Sequence, residues 1–265
     1  MFSIADTHCH LDFDAFNGDR DAVISRARHA GIVRILNPGV DLSSSRKALE
    51  LAEKYEEVFV ACGVHPNDAL SWDEGTLLAL KRLATHPKVV AIGEVGLDYY
   101  RDRAPRNTQK QILVQQLALA SEVGLPVVIH NRQATDDTMD LLSAWHADLV
   151  ASSLPLAEHP GVMHSFSGDR EIAMRAIDLN FVIGITGPVT YRNSEDLRQV
   201  VKSTPISAVL VETDAPFLTP QPRRGERNEP AYVTWVIEKI AEIHGLPVQA
   251  VMEQTIANSY NLFHW

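Results

Sequence analysis

Eight short apolar runs alternate with helical segments along the 265 residues, and this alternation limits the fold more than any other feature. The runs are FSIADT (2–7), VRILNP (33–38), VFVACG (58–63), VVAIGE (89–94), PVVIH (126–130), GVMHS (161–165), FVIGI (181–185) and AVLVET (208–213). Most are rich in valine and isoleucine, the pattern of parallel strands buried on both faces. Helical signals fill gaps between them. RDAVISRARHAG ends in a glycine stop, SSSRKALELAEKY opens with serines suited to an N-cap, and NTQKQILVQQLALASEVG carries Asn107 or Thr108 as a cap. REIAMRAIDLN, EPAYVTWVIEKIAEIHG and a closing helix near 247–262 follow. The expectation is a single-domain (β/α)8 TIM barrel over residues 1–265. An open doubly wound sheet is the alternative. No Gly-x-Gly-x-x-Gly follows the first run, which weighs against its dinucleotide-binding form.

Such barrels carry their chemistry at the C-terminal ends of the strands. The first run leads into DTHCHLDF, where His8 and His10 stand two apart and so share one strand face. Protonated neighbouring imidazoles repel each other, whereas a metal ion draws them together. Taken alone, the pair could equally be two solvated histidines. The other strand ends add His65, Glu94, His130 with Arg132, His164, and Glu212 with Asp214. The remaining histidines fall in helices or loops and read as ordinary solvated residues. Candidate ligands are therefore His8, His10, Glu94, His130, His164 and Asp214. Imidazole nitrogen and carboxylate oxygen suit zinc, manganese, magnesium or similar divalent ions. Six ligands exceed one tetrahedral site and match two ions about 3.5–4 Å apart, with Glu94 as the bridging carboxylate.

These motifs, with GVHPND, AIGEVGLDYY, VVIHNRQA, VMHSFSG, LVETDAPFLTP, RRGERNEPAYV and NSYNLF, resemble in order and over nearly the whole chain the TatD-related metal-dependent hydrolases of the amidohydrolase superfamily. The resemblance implies a TIM barrel, two divalent metals and deoxyribonuclease activity, as a 3′→5′ exonuclease on single-stranded DNA or RNA. It implies His8, His10, Glu94 and Asp214 at one metal, and Glu94, His130 and His164 at the other. Removal of D-amino acids from tRNA occurs among relatives, so an ester or amide hydrolase on the same barrel is the alternative. A non-enzymatic metal-binding protein fits a complete ligand set less well. The stretch AWHADLVASSLPLAEHPG looks longer than the family pattern and is expected to alter access to the site.

Roles follow from chemistry. Glu94 and Asp214 are the catalytic candidates; Asp214 either holds a metal only or also accepts a proton from the attacking water. Arg132 is expected to grip a phosphate with its guanidinium fork, and His65 to touch substrate. Asp6 and Glu212 either orient ligating imidazoles or are buried structural groups. Asp98, Tyr99 and Tyr100 either line the mouth or pack its loop, and Cys9 packs away from the site. A net charge of −10 argues against passive nucleic-acid binding. Arg101, Arg103, Arg106, Arg132, Arg192, Arg223, Arg224 and Arg227 are expected to gather on the catalytic face and receive an anionic nucleic acid substrate. Two distant cysteines, no leader pattern and no apolar run of membrane length point to the cytoplasm.

Overall fold

The computed structural model describes residues 3–101 and 103–265. Eight parallel strands, hydrogen-bonded in chain order, form the barrel. They are β1 (Ile4–Asp6), β2 (Ile32–Pro38), β3 (Val58–Cys62), β4 (Val89–Asp98), β5 (Val127–Arg132), β6 (Gly161–Met163), β7 (Val182–Ile185) and β8 (Val209–Val211). The expected start of the first strand at Phe2 lies outside the described residues. No regular ladder joins β1 to β8. The ring is closed just above them instead, by Thr7 N donating to Val211 O (3.1 Å), Asp214 N to His8 O (2.8 Å) and His10 N to Ala215 O (2.8 Å). Cys9, fully buried, pairs with Ala215 at this seam.

Nine helices surround the strands among the described residues: α1 (Arg20–His29), α2 (Leu42–Lys54), α3 (Glu74–Leu83), α4 (Arg106–Val123), α5 (Thr135–Ala151), α6 (Arg170–Asp178), α7 (Glu195–Ser203), α8 (Val233–His244) and α9 (Val248–Phe263). The glycine stop after α1 is Gly31, at φ 87°. The cap of α2 is not a serine. Asp41 accepts from Ser44 N at 2.6 Å, while Ser44 Oγ donates to Asp12 at 2.7 Å. Neither Asn107 nor Thr108 caps α4, which begins one residue earlier, after Pro105. AWHADLVASSLPLAEHPG proves not to be a loop over the site. Its first half is the end of α5, whose Met139, Leu142, Trp145 and Leu149 are buried at helical spacing. Its remainder feeds the N-terminal end of β6, the face opposite the mouth, so access is untouched.

Alternation along the strands divides the apolar residues into two sets. Ile35, Val60, Ile92, Ile129, Met163, Ile183 and Val211 pack with the helices in the outer layer. Leu36, Ala61, Val90, Val128, Val162 and Leu210 pack together inside the ring, over Leu262 and Phe263 from the end of α9. Phe59 and Trp265 join them, rings 5.4 Å apart, so the chain's end plugs the floor of the barrel. No helix among the described residues is long and apolar enough to cross a membrane.

Candidate metal centre

The inward parity that packs the floor continues upward into polar groups. Two residues beyond Val128, Val162 and Leu210 come His130, His164 and Glu212; Glu94 and Asp98 rise on β4. His8 and His10 lie past the end of β1 and still converge, because the seam hydrogen bonds hold that segment extended. Their Nε2 atoms are 3.3 Å apart. One oxygen of Glu94, Oε2, sits 3.4 Å from His8 Nε2 and 3.8 Å from His10 Nε2. The other, Oε1, is 2.7 Å from His130 Nδ1 and 3.7 Å from His65 Nε2. A single carboxylate thus faces two imidazole pairs. Asp214 Oδ1 lies 3.6 Å from His10, 3.7 Å from His164 and 3.8 Å from His8. Its backbone sits at φ 55°, a left-handed conformation that aspartate tolerates better than most residues.

Three groups have candidate ligand atoms all within 4.8 Å of one another: His8, His10 and Glu94; His8, His164 and Asp214; His65, Glu94 and His130. His65 therefore stands with Glu94 and His130, the place that the resemblance gave to His164. The ring of His164 instead stacks on His8 at 3.3 Å. The donors fit a divalent cation: largely buried imidazole nitrogens and carboxylate oxygens stand three at a time within 4.8 Å of one another.

Further carboxylates fix two of the imidazoles. Glu212 Oε2 meets His164 Nδ1 at 2.8 Å, leaving Nε2 for the cluster. Gly184 makes this possible, since a Cβ there would stand 2.2 Å from the Glu212 carboxyl. Asp98, 1% exposed, lies 3.3 Å from His130 Nε2 and also accepts from Tyr100 N, Arg101 N and Asn67 Nδ2. Asp98 thus neither merely lines the mouth nor merely packs its loop. Its spacing of four from Glu94 on one strand face was the signal for more. Asp6 orients no imidazole: it takes Thr213 N at 2.9 Å and Thr213 Oγ1 at 2.6 Å, bracing the seam.

Burial and charge set the protons. Burial alone would lower His130, but Asp98 and Glu94 outweigh it and raise it to about 9. Burial is likewise overcome at His164 by Glu212, again to about 9. Burial wins at His65, pushing it down to about 3 and leaving a neutral ring. Desolvation would raise Asp214, yet His10, His164 and His8 hold it below the usual carboxylate range. Asp6, with few compensating charges, is pushed by burial to about 8. His130 and His164 would have to give up a proton to hold a cation here.

A cleft of about 1650 Å³ opens over the cluster. Of the eight arginines expected there, Arg101, Arg103 and Arg132 line it, joined by Arg170 and Lys202, which the sequence reading did not name. The others are engaged elsewhere or lie off the cleft. Arg227 pairs with Asp19 at 2.7 Å, Arg223 reaches Glu226 at 3.4 Å, and Arg106 and Arg224 lie over the rings of Tyr99 and Tyr191. Arg192 is not among the lining residues.

A closed eight-stranded barrel with imidazole–carboxylate groups at its C-terminal rim has the build of a metal-dependent hydrolase. The chain belongs to the TatD related DNase family, whose model matches residues 5–264. It is 42% identical to the uncharacterized metal-dependent hydrolase YabD of Bacillus subtilis, over 97% of this chain and 98% of the relative. It is 38% identical to the 3′-5′ ssDNA/RNA exonuclease TatD of Klebsiella pneumoniae, over 99% and 97%. The crystal structure of YjjV, a TatD homolog from Escherichia coli, superposes with a TM-score of 0.90 at 32% identity, covering 99% of this chain and 98% of that one.

Proposed function

We propose that the chain is a metal-dependent phosphodiesterase that trims single-stranded DNA or RNA from the 3′ end. The observation that carries this reading is the lining of the cleft: Arg101, Arg103 and Arg132 stand beside the imidazole–carboxylate cluster in a chain of net charge −10. Asp68, Asp169 and Asp196 line the same cleft, so these guanidiniums suit individual phosphates of a bound strand rather than forming a broad basic face. The relatives named as ssDNA/RNA exonucleases point the same way.

In this reading His8, His10, Glu94, His130, His164 and Asp214 hold two divalent ions, with His65 close enough to join them. Such ions supply a water acidic enough to attack at neutral pH and offset charge on the phosphoryl oxygens. Glu94 spans the two halves of the cluster and fixes their spacing. Asp214, the most exposed of the cluster carboxylates at 16%, accepts the proton of the attacking water. Arg132 holds a non-bridging phosphate oxygen; its guanidinium is steadied 4.0 Å over the ring of Tyr100. Glu212 and Asp98 keep His164 and His130 aimed. The two cysteines, both free and buried, suit a cytoplasmic setting.

The test is direct. Protein loaded with zinc, manganese or magnesium is incubated with 3′- and 5′-labelled single-stranded DNA and RNA, and separately with D-aminoacyl-tRNA. Stepwise shortening from the 3′ end is expected, and it should cease on chelation. Cleavage of the acyl bond alone would replace the nuclease with an esterase.

A further inference from the structure

Nine large apolar side chains are exposed among the described residues, and Phe217 alone of these lines the catalytic cleft. It is 52% exposed, three residues after Asp214. Its backbone is pinned at both ends: Phe217 N donates to Asp214 O at 2.8 Å, and Asn228 Nδ2 donates to Phe217 O at 2.6 Å. The same Asn228 amide reaches Thr213 O at 2.8 Å. The ring is braced from behind. Phe13 meets it edge-on, centroids 6.1 Å apart at 74°, and Phe13 itself stacks on His10 at 4.5 Å and 18°. An unbroken aromatic line thus runs from a candidate ligand to an exposed ring on a fixed backbone.

We propose that Phe217, braced by Phe13, is a stacking site for an unpaired nucleobase of the strand being cut. The inference rests on the nuclease reading of the same cleft. A half-exposed phenyl ring held rigidly beside a charged cleft buries apolar area only when something flat covers it. A nucleotide whose phosphate sits at the cluster offers a base to cover that ring. Every base has a π-face, so stacking there tolerates any sequence. A base held in a duplex is tied to its partner and its stacked neighbour, so an unpaired end swings onto the ring at the lower cost and the site favours single strands. Tyr100 stands apart in function: its ring lies beneath Arg132 and does not line the cleft.

The experiment compares two single-stranded oligonucleotides on the metal-loaded protein, one with a normal 3′-terminal base and one with an abasic terminal nucleotide on the same phosphate. Wild type should show a KM about tenfold lower for the normal end, the size of one stacked base. Phe217→Ala should bring that ratio close to one, and Phe217→Leu should do the same while keeping apolar bulk. Phe217→Trp should restore it. Melting curves of each variant report the fold. Equal KM for both ends in wild type, or an undiminished ratio in the alanine and leucine variants, overturns the stacking site and leaves the nuclease standing. Failure of wild type to cut either oligonucleotide removes the nuclease and the stacking site together.

Discussion

Two levels of the same barrel interior hold opposite chemistry. Near the N-terminal ends of the strands, Leu36, Val128, Val162 and Leu210 close over Phe263 in an apolar floor. One inward position higher, on the same strands, stand His130, His164 and Glu212. The strand alternation that excludes water below therefore aims polar groups above, and the tightly packed floor gives those groups a stiff base. Packing and chemistry divide between adjacent layers, so a change in the floor should leave the chemistry intact.

The largest effect belongs to the upper layer. Glu94→Gln should lower kcat by about 10³-fold, since the group facing both imidazole pairs loses its charge. Its melting temperature without metal should fall as well, because the histidines around Glu94 hold it ionised and lose their counter-charge. Turnover near that of wild type would end the bridging role. Asp98→Asn is next: the His130 ring loses its charged partner, and metal affinity measured by calorimetric titration should fall about 10–100-fold. An unchanged affinity would detach Asp98 from the centre. In the floor, Leu210→Ala should cost about 2–5 kcal/mol of unfolding free energy by denaturant titration. Activity per folded molecule should stay as it was; a parallel loss of kcat would break the division between layers.

The smallest effect tests the rim. Arg227, then Arg26, hold the Asp19 carboxyl down at about 2 against an ordinary 3.8. A depressed carboxyl stabilises the fold above its unfolded value and loses that contribution as pH falls through about 2. The pair is half-exposed, so Asp19→Asn should cost under about 1 kcal/mol at neutral pH. The gap from wild type should close in unfolding curves taken between pH 4 and pH 2. A gap that persists at pH 2 would show that the ion pair is not its source.

All eight strands were legible because each is a short apolar run, most of them rich in valine and isoleucine, set between helical segments. The histidines followed from their places at the C-terminal ends of those runs, with parity joining His8 to His10. Helices α3, α5 and α7 were not named from the sequence. Helix α7 offers only Leu197, Val200 and Val201 as an apolar face, too short a stripe to stand out. In α5 the spacing of Met139, Leu142, Trp145 and Leu149 carries the helical period, but no side chain caps its N-terminus to mark where it begins. What sequence could not carry were partners far apart in the chain. Asp19 claims Arg227 from 208 residues away, and nothing local distinguishes Arg227 from Arg101. The tie between Asp98 and His130 likewise needed two strands side by side.

The seam has a consequence for how the molecule comes into being. Asp6 and Thr213, bonded to each other across it, are 207 residues apart in sequence. His8 and His10 stand on one side of that join and Asp214 on the other, so the group of His8, His164 and Asp214 forms only after the first and last staves meet. Bringing such distant segments together carries a loop-closure cost and comes late in folding. A copy whose ring has not yet closed therefore lacks the part of the cluster that spans the seam.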